Sequence, residues 1–185
     1  MTTSRVPGAS PFVVSVRDFA RRPGTQRTLS ETFPAPAVFG TDVISVPEGD
    51  DLKLDLSLES VSEGIWVSGT VAGTARGECG RCLDDVAIDV AAPIHAMFAA
   101  PGADMGDEDD DTEDVHRFDG DTLDLEAVVR DAVVTTLPFT PLCEPDCSGL
   151  CDQCGARLAD EPDHLHDVVD PRWAALESVM KKEEG

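Results

Sequence analysis

Leu52, Leu54, Leu56 and Leu58 alternate with Lys53, Asp55, Ser57 and Glu59. A period of two places the leucines on one face and the polar residues on the other, the pattern of a half-buried strand. Ser62, Glu63 and Gly64 supply a turn, and Ile65, Val67, Gly69 and Val71 resume the alternation to about Arg76. A third run, from Val86 to Val90 and on to Met97 and Phe98, follows the short segment Cys79-Gly-Arg-Cys82. Three strands joined by tight turns predict an antiparallel meander. Upstream, Phe12 to Val16 reads as a first strand, and Val16 to Arg22 as a short helix that Pro23 and Gly24 end. The Pro- and Gly-rich stretch from Thr32 to Pro47 reads as loop, with a short strand at Val43–Val46.

Beyond residue 121 the period changes. Leu125, Val128, Val129, Ala132, Val133 and Leu137 recur at helical spacing, with Asp124 expected as N-cap, Glu126 in the first turn and Pro138 as the stop. Near the carboxyl end Asp170 caps and Pro171 takes the first helical position of a second helix. Trp173, Leu176 and Met180 form its apolar stripe, with Lys181 and Lys182 at its cation-favouring end. The fold class predicted is α+β: an N-terminal antiparallel β-meander, then a helix, a cysteine-rich hook and a C-terminal helix. The expected divisions are a β-rich body with a basic arm over 1–100, an acidic disordered loop over 101–121, and helix, hook and helix over 122–185. All of these are expected to belong to one structural domain.

Charge alters this picture locally. The chain holds 14 basic and 37 acidic residues, a formal charge of −23 in 185 residues, with 41% hydrophobic content, enough to build a core. Five arginines against Asp18 leave residues 1–27 at +4 and the other 158 at −27. Nucleic-acid affinity normally comes from Lys and Arg neutralising phosphates, so a body this acidic excludes an ordinary non-specific nucleic-acid binder. From Asp104 to Asp114, eight of eleven residues are acidic. Such a run repels itself and reads either as a solvated insertion or as a lure for a basic partner. A compositional bias toward acid, such as a salty habitat imposes, is the alternative reading of the whole. The opening residues lack the apolar stretch of a signal peptide, and no apolar run approaches transmembrane length, so a soluble cytoplasmic protein is expected.

The strongest chemical signal is Cys143-Glu-Pro-Asp-Cys147-Ser-Gly-Leu-Cys151-Asp-Gln-Cys154-Gly155. Four thiols within twelve residues converge only if the backbone doubles back, which Pro145, Gly149 and Gly155 permit. Zinc takes four such ligands in a tetrahedron, and Cys-x-x-Cys-Gly is the usual half-site. A disulfide or free thiols are the alternatives, with stable bridges disfavoured in a cytoplasmic chain. His164 and His166 follow closely and could replace Cys143 and Cys147. Either quartet fills every position, so one Zn2+ held there is structural and not catalytic. Cys79 and Cys82 form a second thiol pair, open to three readings: packed thiols, a further half-site or a redox couple. No Gly-rich phosphate loop, nucleophile elbow or His-Glu metalloprotease motif occurs, and nothing argues for an enzyme.

Gly77-Glu-Cys79-Gly-Arg-Cys82-Leu83 resembles the Cys-x-Arg-Cys-Leu core motif of the YceD family, the large ribosomal RNA subunit accumulation proteins. The tail, from Leu142 through Cys154-Gly-Ala-Arg-Leu158 to Asp170-Pro-Arg-Trp-Ala-Ala-Leu176, is similar to that of its cysteine-rich, actinobacterial-type members. Val16-Arg-Asp-Phe-Ala-Arg-Arg-Pro-Gly24 and Val43-Ile-Ser-Val-Pro-Glu-Gly49 extend the resemblance over nearly the whole chain outside the acidic run. Family members with a similar tail often carry Cys-x-Cys where this chain has His164-Leu-His166.

The resemblance implies a non-enzymatic role in large-subunit biogenesis, supporting accumulation or processing of its ribosomal RNA. The expected partner is a large-subunit precursor, met through RNA or a basic ribosomal protein, with no membrane and no small-molecule substrate. Arg17, Arg21, Arg22 and Arg81 are the candidate contacts. The alternatives are an acidic carrier of a basic ribosomal protein without RNA contact, and a thiol oxidoreductase using Cys79 and Cys82.

Overall fold

The computed structural model describes residues 10–18, 22–103, 116–119 and 121–166. Arg21, the middle of the expected basic helix, the acidic run over 104–115 and the expected helix after Asp170 lie outside the described residues. Two compact units make up the chain: Met1–Gly80 with Asp84–Cys143, and Arg81–Leu83 with Glu144–Gly185.

The first unit carries nine strands and a helix among the described residues. In chain order these are β1 (Val13–Ser15), β2 (Gln26–Pro34), β3 (Phe39–Gly40), β4 (Ile44–Val46), β5 (Asp51–Val61), β6 (Gly64–Glu78), β7 (Asp85–Ala99), β8 (His116–Arg117), β9 (Thr122–Asp124) and α1 (Glu126–Thr136). The expected meander is present: β5 pairs antiparallel with β6, and β6 with β7 from Gly64↔Ala99 to Glu78↔Asp85. The leucines of β5 are buried, while Lys53, Asp55 and Glu59 face out. Strand β6 is long enough to hold β5 over its first half and β4 at Arg76 and Gly77 on the same edge. Outside β5 lies β2, and outside β7 the two-residue β8 pairs in parallel, Phe98 opposite His116. Strands β1 and β9 form a separate ribbon.

Helix α1 buries Val128, Val129 and Val133 against β7, β3 and β6, with Leu125 and Leu137 buried at its two ends. Each such side chain removed from water stabilises the packing by about 1.5–3 kcal/mol, more than the helix propensity of β-branched residues supplies. Leu137 turns extended ahead of Pro138, as a residue before proline prefers. Phe12 meets Phe33 and Phe39 at centroid distances of 5.4 and 6.3 Å, and the Arg130 guanidinium lies 4.4 Å over Phe39.

Three expectations change. The architecture is mostly β, and α1 is the one helix among the described residues, so the α+β description holds only in part. The loop expected from Thr32 begins inside a strand, because β2 runs from Gln26 to Pro34. Only Leu29 and Phe33 of β2 are buried, so its alternation is diluted by Ser, Glu and Thr, and its proline is tolerated at the end of an outer strand. Finally, Leu125 and not Asp124 is the N-cap of α1. Asp124 is held in β9 opposite Val13, and its carboxylate accepts the Glu126 N–H at 2.9 Å from one residue further back.

Candidate metal centre

The cysteine-rich segments are shaped by backbone turns that bring distant parts of the chain side by side. In the first unit, Cys79 donates its N–H to Asp84 O at 2.7 Å and Gly80 donates to Pro141 O at 2.8 Å, which places the end of β6 against the residues before Cys143. In the second unit, the Leu150 N–H donates to Arg81 O at 3.0 Å and the Arg81 guanidinium donates to Cys147 O at 2.8 Å. Arg81, a candidate partner contact from sequence, thus has part of its fork committed to the backbone of the hook.

Leu150 and Arg157 then form an antiparallel bridge around Cys-x-x-Cys-Gly. Cys151 donates its N–H to Ala156 O and Gly155 donates to Cys151 O, both at 2.8 Å, closing a tight knuckle. Gly155 sits at φ 72°, a left-handed conformation that a side chain would strain. This turn aims the amides of Gln153 and then Cys154 at the Cys151 sulfur. Their hydrogen bonds, more than the contribution from His164, lower the Cys151 thiol to about 6.

Within the second unit, Cys151, Cys154, His164 and His166 have the composition and spacing to hold a metal ion. The four ligand atoms of this set all lie within 4.8 Å of one another, and all six cysteines are thiols. Of the run Cys143 to Cys154, expected to act as one quartet, Cys151 and Cys154 lie in this set. The histidines complete it alongside Cys151 and Cys154, the grouping expected if they stand in for Cys143 and Cys147. Four thiols close in sequence satisfy a tetrahedral ion in principle, but spacing says nothing of which distant donors the turns bring nearer.

Within this set the histidine geometry is specific. His164 Nε2 lies 3.2 Å from Cys154 Sγ, His166 Nε2 lies 3.1 Å from the same sulfur, and the two Nε2 atoms are 2.8 Å apart. The rings meet edge to face at 81°. His164 Nδ1 is 2.8 Å from Glu161 Oε2. The bond to the Cys151 sulfur and the one to Glu161 both favour the imidazolium and raise the His164 pKa.

The remaining predicted contacts lie elsewhere. Arg17 reaches the Asp121 carboxylate at 2.8 Å, a pair that is largely solvent-exposed. Arg22 presents its carbonyl to the Thr25 hydroxyl at 2.6 Å.

The family model described as "Large ribosomal RNA subunit accumulation protein YceD" matches residues 67–179. The chain is 45% identical over 175 residues to the uncharacterized protein Rv2926c of Mycobacterium tuberculosis, covering 95% of this chain and 84% of that one. It is 40% identical over 171 residues to the uncharacterized protein ML1660 of Mycobacterium leprae, covering 92% and 78%. The uncharacterized protein YlbN of Bacillus subtilis is 30% identical over 118 residues, covering 62% and 66%. No solved structure matches.

Proposed function

The chain belongs to the YceD family of large ribosomal RNA subunit accumulation proteins, and from that membership we propose that it is a cytoplasmic, non-enzymatic factor in large-subunit biogenesis. The match over residues 67–179 is the observation that carries this reading. Charge supports a division of labour. The body, strongly anionic, is repelled by phosphate, so RNA contact falls to the cationic arm with Arg17, Arg21 and Arg22, and Arg81 contributes the donors its backbone bond leaves over. Metal held by the cysteine-rich segments is structural, because four protein ligands leave a tetrahedral ion no open position for substrate. No helix among the described residues is long and apolar enough to cross a membrane.

The test is co-sedimentation with large-subunit precursors from cell extract. Arg17→Glu/Arg21→Glu/Arg22→Glu is expected to abolish it, and to flatten the salt dependence of any residual binding by about 2–3 in log–log slope. Because Arg17 pairs with Asp121, Asp121→Asn serves as control: it breaks the pair, keeps the arginine and should leave sedimentation intact. Unchanged sedimentation of the triple variant would remove the arm from the mechanism.

The charge of −27 outside the arm favours a second reading, an acidic carrier for a basic ribosomal protein. A basic protein that stays bound after nuclease digestion selects the carrier, and release of everything selects RNA contact.

A further inference from the structure

We infer that Cys151, Cys154, His164 and His166 form a closed Cys2His2 zinc site in their own right, with Glu161 as the residue that orients His164. The inference stands on the side-chain geometry of the second unit and is independent of any ribosomal role.

Three observations converge on it. First, Glu161 accepts a hydrogen bond from His164 Nδ1–H, which fixes the tautomer that leaves the Nε2 lone pair facing inward. A carboxylate behind a histidine is the usual outer support of a zinc-bound imidazole. Second, that Nε2 points at His166 Nε2 at 2.8 Å and at Cys154 Sγ at 3.2 Å, so electron-pair donors meet at one point. A tetrahedral ion with bonds of 2.0–2.3 Å holds its ligand atoms roughly 3.3–3.8 Å apart. Closing around zinc therefore asks only a separation of about half an ångström at the imidazoles. Third, the other two ligands sit on the knuckle whose amides point at the Cys151 sulfur, an arrangement suited to a thiolate.

The donor set selects the ion. Tetrahedral S2N2 favours zinc over the hard cations that carboxylates attract. Two thiolates and two neutral imidazoles also make the zinc-loaded site electrically neutral. A four-thiolate site would instead add −2 to a chain already at −23. The histidines thus have a role beyond replacing lost cysteines: they let metal bind without deepening the negative field. Leu165, between them, is 90% exposed, while the Nε2 atoms of both imidazoles turn to the Cys154 sulfur.

The experiment uses the reduced full-length chain, titrated with zinc against a chromophoric chelator and separately loaded with Co2+. His164→Gln/His166→Gln is expected to lose one metal equivalent relative to wild type, and with it the Co2+ absorption bands of a mixed sulfur–nitrogen site. Glu161→Ala should keep that equivalent but bind it about 10–100-fold more weakly. Cys79→Ser/Cys82→Ser should leave the mixed-ligand bands in place. A measurement without substitution guards against misfolding: nitrogen NMR of the wild-type imidazoles should show Nε2 of both His164 and His166 shifting on zinc addition. Wild-type metal content in the double-histidine variant, or imidazole nitrogens that zinc does not move, would overturn the inference.

Discussion

The thiol of Cys151 is strongly perturbed, and the cause is local. The backbone amides of Gln153 and Cys154 donate to its sulfur and favour the thiolate, lowering the pKa to about 6. A lowered thiol pKa means the nucleophile is present at and above that pH. In reduced, metal-free protein, alkylation of Cys151 by iodoacetamide should rise through a midpoint near pH 6, whereas an ordinary cysteine keeps rising toward its pKa of about 8.5. Peptide mass mapping across pH reads this directly, and a midpoint near 8.5 would mean the amides do not reach the sulfur in solution. The sequence showed that these thiols and histidines were ligand material, because Cys-x-x-Cys-Gly encodes the knuckle by itself. It left open which four lie closest together. That depends on Glu161 turning His164 and on an extended segment presenting two imidazoles to one sulfur, and neither leaves a spacing signature.

At the level of elements, what could be read depended on how cleanly each face was patterned. Strand β5 was legible because every inward position from 52 to 58 is leucine, and α1 because its apolar stripe repeats through Leu137. Strand β2 was not, since two buried residues in nine do not outweigh their polar neighbours. The same logic governs where the sheet is brittle. Gly69 of β6 adopts φ 149°, and a Cβ there would lie 2.2 Å from Asp55 O and 2.8 Å from Leu56 Cα on β5. Backbone atoms of a central pairing have no room to yield. Gly69→Ala should therefore destabilise the protein by about 2–4 kcal/mol, measured by urea denaturation. Gly155→Ala also meets a left-handed conformation, φ 72°, but open space, so backbone strain alone should cost about 1 kcal/mol.

At the scale of the whole molecule, the buried apolar core and most of the cysteines of the described residues occupy different stretches of the chain. Among the described residues, every side chain of the contiguous apolar core lies between Phe12 and Leu137, whereas four of the six cysteines fall at or after residue 143. A chain ended at Cys143 is accordingly expected to retain cooperative thermal unfolding, its midpoint within a few degrees of the full protein, while losing the Cys2His2 zinc equivalent. Non-cooperative melting of that shortened chain would show that the sheet depends on the tail. The second unit has no such independence, because it is discontinuous. Its first three residues, Arg81–Leu83, are synthesised between β6 and β7, and their partners Cys147 and Leu150 follow more than sixty positions later. During translation the β-hairpin must therefore emerge with its loop still waiting, and the knuckle closes only after most of the polypeptide has left the exit tunnel. Completion of the second unit thus reports that synthesis has reached the carboxyl-terminal region, and a peptide spanning 144–185 would lack one of the pieces needed to make it.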